Sequence, residues 1–315
     1  MKKFLLKTAL FTAIMAACAS IACFFIDKGL RKTEYTQYKE WNNIHGSKIN
    51  ADVLIQGSSH ARVQISPTVL DSILQLNTYN IGIDGYAFDV QYARYKIYMQ
   101  HNRQPKYLIQ NMDIETLGKS ETPFMREQFL PYLGDSSLKE VLMGTIFPAY
   151  YFYFPFLKYY HDFKLLKIGI LEYLNLKKFE PAKTYKGYET ADANWNHDFE
   201  KFKAKDSMIS PVVDAHVLNL FDEFLSDCKK RNIQVIIVCC PQYYKFNEMI
   251  KNKDGLTEIY EGLSRKYNFP VLDYTSDSLC YDLKYFGGPT HLNKKGSELF
   301  SVKLANDIKK LSAQK

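Results

Sequence analysis

Short apolar runs alternate with helical stripes along most of the chain, and this alternation constrains the fold more than any other feature. Asp52-Val53-Leu54-Ile55-Gln56 is an apolar run that stops at Gly57. Thr78 to Ile83 is a second, closed by Gly82, Asp84 and Gly85, and Tyr107 to Ile114 is a third. Gln234 to Cys240 is apolar at every other position and in between, as a strand covered on both faces must be. Phe269 to Tyr274 is the last. Between these runs, Val69, Leu70, Ile73 and Leu74 recur at helical spacing, as do Phe88, Tyr92, Tyr95 and Met99. The same holds for Val213, Val217, Leu220, Phe224 and Cys228, for Leu256, Ile259, Leu263 and Tyr267, and for Phe300, Leu304, Ile308 and Leu311. Ser66-Pro67 and Ser210-Pro211 read as helix starts, and Asn293 as the cap of the final helix. Strand and helix in alternation imply a doubly wound parallel sheet, whose ligands sit at the carboxyl ends of the strands.

The alternation stops near Leu117 and resumes near Ser210. The intervening stretch, 118–209, reads as a helical insertion dense in aromatics, above all Tyr150-Tyr151-Phe152-Tyr153-Phe154-Pro155-Phe156. Such side chains serve packing first; a sugar-stacking surface or contact with a membrane or a membrane partner are the other readings. At the N-terminus, Lys2, Lys3 and Lys7 precede an uncharged run from Thr8 to Ile26, about the ~20 residues of a spanning helix. Met15-Ala16-Ala17-Cys18 also reads as a lipoprotein cleavage box, but the apolar run continues past it, which favours an uncleaved anchor over residues 1–26. Either way the rest of the chain lies outside the cytoplasm, on the periplasmic or extracytoplasmic side. Residues 27–49 read as a linker.

The formal net charge is +7, but no compact Lys/Arg run appears, so nucleic acid is not an expected partner. The six cysteines form neither a disulfide framework nor a zinc-site spacing, although a Cys240–Cys280 bridge is open in an oxidising compartment. No metal-ligand spacing or nucleotide-cradling glycine loop is present, so no cofactor is expected.

Polar residues cluster where the fold would place a site. Ser59 follows Gly57-Ser58 at the end of the first strand, where a hydroxyl is exposed and small neighbours leave room for substrate. A serine is a weak nucleophile until a base takes its proton, and His291, in Pro289-Thr290-His291-Leu292-Asn293, is placed to be that base. A developing oxyanion needs donors, for which the Ser59 N–H, the Gly85 N–H and the Asn111 amide are candidates, with Gly82 as the alternative to Gly85. His60 reads either as a helix-entry histidine or as a substrate or oxyanion contact. Arg62 reads as a surface cation or an acidic-sugar ligand, and Asp84, Asp89 and Asp113 sit near strand ends where they can tune a pocket.

In these blocks the sequence resembles the SGNH, or GDSL-like, hydrolases. Gly57-Ser58-Ser59 resembles the family's first block, with Ser58 where the family name has Asp. Asn80-Ile81-Gly82-Ile83-Asp84-Gly85 resembles the second, Gln110-Asn111-Met112-Asp113 more loosely the third, and Gly288-Pro289-Thr290-His291 the block of the base. The resemblance spans roughly 50–117 and 205–312 and leaves out the insertion. It implies a flavodoxin-like three-layer sandwich and a serine-dependent acyl transfer. It is closest to membrane-anchored members that act on O-acyl groups, most often acetyl, of cell-envelope or exported carbohydrate. A membrane-bound O-acyltransferase is then an expected partner, beside the glycan and the membrane itself. One departure matters: the family's Asp three residues before the base is Gly288 here. Three readings follow. A backbone carbonyl holds His291, or Asp282 (less readily Asp277) supplies the carboxylate, or the domain has kept binding and lost catalysis. The last would make it a carbohydrate-binding or polysaccharide-assembly factor.

Overall fold

The computed structural model describes residues 1–190, 192–196, 198–204 and 208–313. Two compact units emerge, one of residues 1–46 and 121–182, the other of 47–120 and 183–315. The boundaries cut through the expected insertion. Its first part joins the N-terminal segment in a helical unit, and residues 183 onward fold with the sheet.

In the sheet unit five strands, β1 (Val53–Gln56), β2 (Thr78–Asn80), β3 (Tyr107–Met112), β4 (Gln234–Cys239) and β5 (Val271–Asp273), lie in the order β2-β1-β3-β4-β5. All neighbours are parallel, with Val53 opposite Thr78 and Tyr107, Tyr107 opposite Gln234, and Ile237 opposite Val271. This is the flavodoxin-like order, with its topological switch between β1 and β3.

Alternation along each strand divides the core into two layers. Val53, Ile55, Ile109, Ile236 and Val238 pack with Ala61, Ile65, Leu70, Phe300, Leu304 and Ile308, that is, with the helices Ser59–Gln64, Pro67–Leu74 and Lys294–Ala313. The intervening Leu54, Leu108, Val235 and Ile237 are equally buried and face the other layer. There the helices Phe88–His101 and Ala215–Lys230 join through Phe88, which lies 4.8 Å from Phe221 and 5.3 Å from Phe224 between ring centroids. The sheet is therefore doubly wound.

Helix ends follow capping chemistry, with one change. Asn293 Oδ1 accepts from the Gly296 N–H (3.1 Å), so the last helix starts where expected. Ser210-Pro211, however, starts nothing: the helix begins at Ala215 because Asp214 Oδ1 accepts from both His216 N–H (2.9 Å) and Val217 N–H (3.0 Å). Two orphan donors on one carboxylate outweigh a proline that only pre-sets φ.

The helical unit opens with one helix, Lys2–Leu30, long and apolar enough to cross a membrane. Its first buried residue is Cys23, followed by Ile26, Gly29 and Leu30. Residues expected to be a linker are folded here: the helix Tyr38–His45 buries Trp41 against Phe129 and Tyr132, and the indole N–H donates to Gln128 Oε1 at 3.0 Å. The aromatic run divides, Tyr151 being buried while Tyr153 and Phe154 are exposed.

Candidate active site

β1 ends at Gln56, and Gly57 makes the turn at φ +151°, a left-handed conformation open mainly to glycine. A Cβ there would also lie 2.7 Å from Asn111 Cβ and 2.9 Å from Ala61 Cβ. Ser58 then caps the helix Ser59–Gln64, its Oγ accepting from the His60 N–H at 3.3 Å. Ser59 is thus the first residue of a helix, where a backbone N–H has no intrahelical partner.

Two further segments clamp this turn. Ile81 N–H and Ile83 N–H donate to Ile55 O (2.8 Å) and Gly57 O (2.9 Å), continuing β2 alongside it. Buried Asn80 reaches across with Nδ2 to Ala61 O (2.7 Å) and Ile65 O (3.1 Å), while its Oδ1 accepts from Gly82 N–H (2.9 Å). That spends the Gly82 donor, and a Cβ on Gly82 would sit 2.9 Å from Arg62 N and 3.1 Å from Ser58 O. Gly82 is therefore a close-approach glycine and not an oxyanion donor. Gly85, two residues past Ile83, holds the turn at φ +72°.

His291 arrives from the far end of the chain. Its loop closes through Gly287 N–H to His291 O (3.0 Å), and Tyr243 N–H donates to Pro289 O (3.0 Å). Gln64 Nε2, on the nucleophile helix, donates to Thr290 O (3.0 Å). These bonds bring His291 Nε2 within 2.8 Å of Ser59 Oγ. With Ser59 donating to Nε2, the neutral ring carries its proton on Nδ1, which lies 2.9 Å from Thr290 Oγ1. A hydroxyl thus occupies the position expected for a carbonyl or carboxylate.

Asp282 and Asp277 do not take that role. Asp282 is half-buried, pairs with Lys284 and accepts from the Lys284 N–H at 3.1 Å. Asp277 accepts from Leu279 N–H (3.0 Å) and pairs with Lys303. Both carboxylates are committed to local caps and cations. Gly288 lies beside Asn196, whose Nδ2 would be 3.2 Å from an added Cβ.

The carboxylate at the site comes instead from the end of β3. Asp113 is buried; its Oδ2 accepts from Ser58 Oγ and lies 3.4 Å from His60 Nδ1. The latter is long for a hydrogen bond but within ion-pair range. Oδ1 accepts from Glu115 N–H at 2.9 Å. Burial alone raises the Asp113 carboxyl, but the neighbouring His60 ring and the bonds from Ser58 and Glu115 hold it well below the usual carboxylate range. His60 is itself buried, and its ring centroid is 4.9 Å from that of His291. Burial first, then the neighbouring His60, push the His291 imidazole down to about 3, against the opposing charge of Asp113. His291 is therefore neutral across the ordinary pH range, as an acceptor of the Ser59 proton must be.

Asn111 departs from its expected role. It is fully buried, and Nδ2 donates inward to Met112 O and Val238 O, both at 3.3 Å, and toward Cys240 Sγ. Its position inside β3, before the strand ends, turns the amide into the core. Arg62 also differs: it is buried, paired with Asp84 and with Glu189 (2.6 Å), and so is neither a surface cation nor open to an acidic ligand. Asp89 is spent on Ser120 N–H (3.1 Å) and Val90 N–H (2.8 Å). Of the three strand-end acids only Asp113 reaches the serine turn. Cys240 and Cys280 are free thiols, the latter 3.3 Å from Tyr274 O. Among the described residues no group of three or more His, Cys, Asp or Glu gathers to hold a metal.

Ser58, Asn80, Gln64 and Thr290 are the site residues that spacing alone did not single out. Their signal was faint: Ser58 and Thr290 adjoin Ser59 and His291, while Gln64 and Asn80 stand two residues from Arg62 and Gly82. No family model matches the chain, and no curated protein matches it in sequence. Among solved structures it is similar to a candidate acylhydrolase from Bacteroides fragilis, with 11% identity, a TM-score of 0.36, and coverage of 81% of this chain and 86% of that one. It is likewise similar to a GDSL-like lipase from Bacteroides thetaiotaomicron, with 10% identity, a TM-score of 0.35, and coverage of 81% and 88%. At that distance the likeness carries no functional weight, and the chemistry has to be read from the side chains.

Proposed function

We propose that the chain is a serine-dependent acyl-transfer enzyme acting on an ester, with Ser59 as nucleophile and His291 as base. The observation that carries this reading is the 2.8 Å contact of Ser59 Oγ with His291 Nε2 at the switch point of a parallel sheet. Ser59 Oγ attacks the ester carbonyl as its proton passes to His291 Nε2. The oxyanion is met by the Ser59 N–H and the Gly85 N–H. The imidazolium is stabilised by Thr290 Oγ1 on Nδ1–H and by the Asp113 charge. His291 then returns the proton to the departing alkoxide, leaving Ser59 acylated. Water or a second hydroxyl, deprotonated by the same nitrogen, takes the acyl group, and His291 Nε2 hands that proton to the departing Ser59 Oγ, which restores the serine.

The finer reading is an O-acetyl group on a cell-envelope or exported carbohydrate, with a membrane-bound acyl carrier as partner. It extends the resemblance of the four blocks and is supported by the N-terminal helix, which would hold the domain at a membrane surface.

The test is a fluorophosphonate probe on the full chain, with Ser59→Ala and His291→Ala beside the parent. Labelling of the parent that disappears in Ser59→Ala is the expected result. A parent that stays unlabelled while binding acetylated glycan would overturn the enzyme and leave the binding factor.

A further inference from the structure

The helix Phe163–Tyr173 carries apolar side chains on its exposed side as well as on its buried one. Its buried side carries Leu165, Ile168, Gly169 and Glu172. Its outward stripe carries Phe163, Ile170 and Leu174, which at about 100° per residue fall within roughly 20° of one line. These side chains are 80%, 42% and 53% exposed, and Leu176 just beyond the helix is 70% exposed. An exposed apolar stripe of this length is not the pattern of a helix that meets only water. Exposed Lys167 lies along the edge of the same stripe, about 20° from Leu174, and exposed Lys164 and Lys177 flank it.

The helix crosses the N-terminal helix where that helix stops being exposed. A Cβ on Gly29 would fall 1.7 Å from Gly169 O, and one on Gly169 would lie 2.7 Å from Ile26 Cγ2, so backbone meets backbone. Around the crossing, Phe25 and Tyr173 rings are 4.8 Å apart, and Lys28 and Lys32 lie over the Phe24 and Tyr173 rings. No residue from Lys2 to Ala22 is buried. The uncharged run Thr8–Ile26, which follows the three lysines, is roughly 28 Å long at ~1.5 Å per residue, close to the thickness of a bilayer's hydrocarbon core. Ile26 then ends the core and Gly29 falls about 4–5 Å past it, at the headgroup boundary.

We propose that the outward stripe, Phe163, Ile170, Leu174 and Leu176, lies in the headgroup boundary of the bilayer that the N-terminal helix crosses, with Lys164 and Lys167 on its anionic phosphates. Apolar side chains with interspersed lysines suit that layer, and the Gly29–Gly169 crossing continues the membrane contact of the first helix into the second. The helical unit then rests on the lipid instead of swinging from a single tether. This holds whether or not Ser59 is catalytic.

The test uses the full chain in vesicles of phosphatidylcholine with a minority of phosphatidylglycerol. Ile170→Trp and Leu174→Trp report on the stripe, Ile14→Trp on the spanning helix, and the parent emission of Trp41 and Trp195 is subtracted. The added emission at 170 and 174 should lose most of its intensity to lipid brominated high on the acyl chains and resist aqueous acrylamide. If Ile14→Trp is quenched by lipid while 170 and 174 stay open to acrylamide, the stripe faces water and the proposal falls. Shielding of 170 and 174 from both quenchers would mean that protein covers the stripe, which also overturns it. Ile14→Trp untouched by brominated lipid would remove the bilayer itself.

Discussion

In the sheet unit, Phe88, Phe221 and Phe224 are sealed inside, and the polar residues Ser58, Ser59, His60, Asp113 and His291 gather where the strands end. In the helical unit, Glu172 is sealed, accepting from Thr33 Oγ1 (2.9 Å) and Phe179 N–H (3.2 Å), while Phe163, Leu174 and Leu176 stand outside. The first arrangement suits an aqueous surface with one reactive corner. The second suits a surface that water does not fully own. Exposed apolar area alone is common, but a buried ionisable group on the opposite side of the same short helix makes the pattern directional.

The sharpest break in this contrast is at Ser59. Ser59→Ala should lower ester turnover at least ~10³-fold, read as kcat with an activated ester, while leaving the melting temperature in place. A loss below about tenfold would show that the polar corner is not reactive.

The backbone crossings of the two units can be compared next. Gly57→Ala meets Asn111 and Ala61 at a left-handed φ, and Gly29→Val meets the Gly169 carbonyl. Each should cost about 1–3 kcal/mol in denaturant unfolding of the full chain. Gly57→Ala should also depress turnover by displacing Ser59, whereas Gly29→Val should leave turnover of a soluble ester unchanged. Equal effects on turnover would erase the division of labour.

Thr290→Val removes the acceptor of His291 Nδ1–H. Loss of one hydrogen bond of ~1 kcal/mol predicts roughly a fivefold fall in kcat/KM, and Thr290→Ser should restore most of it. No change would mean that Asp113 and packing alone hold the ring.

Two pH effects are smaller. The acid limb of kcat/KM should fall at about pH 3, where His291 protonates, instead of near its usual 6.5. His60→Gln removes a group that holds His291 down, so the limb should move up, and a limb that stays put would uncouple the two histidines. For stability the sign runs the same way. The folded state holds His291 at about 3 and the unfolded chain near 6.5, so between those values the unfolded chain binds more protons. The contribution is complete above about pH 6.5 and declines as pH falls through that window. The Asp113 carboxyl, held low in the fold, loses its contribution at still lower pH. A melting temperature flat from pH 7 to 4 would contradict the first of these.

The sheet was legible because alternation and helical spacing are local. Each of the five strand runs could be read from its own residues, and their carboxyl ends gathered the polar positions in advance. The partner of His291 was not legible in the same way. Sequence distance pointed to Asp282 in the preceding loop, yet a nearby carboxylate takes the nearest backbone N–H and lysine before it reaches across to an imidazole. Arg62 read as a surface cation because nothing in its neighbourhood shows that a hairpin, Thr184–Tyr185 with Tyr188–Glu189, brings Glu189 over it.

By itself the sequence determined the strand–helix alternation, the Ser59 and His291 positions and the apolar N-terminal helix, because each is written in contiguous residues. Tertiary structure decided what surrounds the serine and how the aromatic insertion is divided. Asp113, Thr290 and Asn80 meet the serine turn only through parallel pairing of β1 with its neighbours and the return of the last helix. The Gly29–Gly169 crossing joins residues far apart in the chain. Contacts of that kind depend on which backbones can approach, and no local pattern encodes the approach.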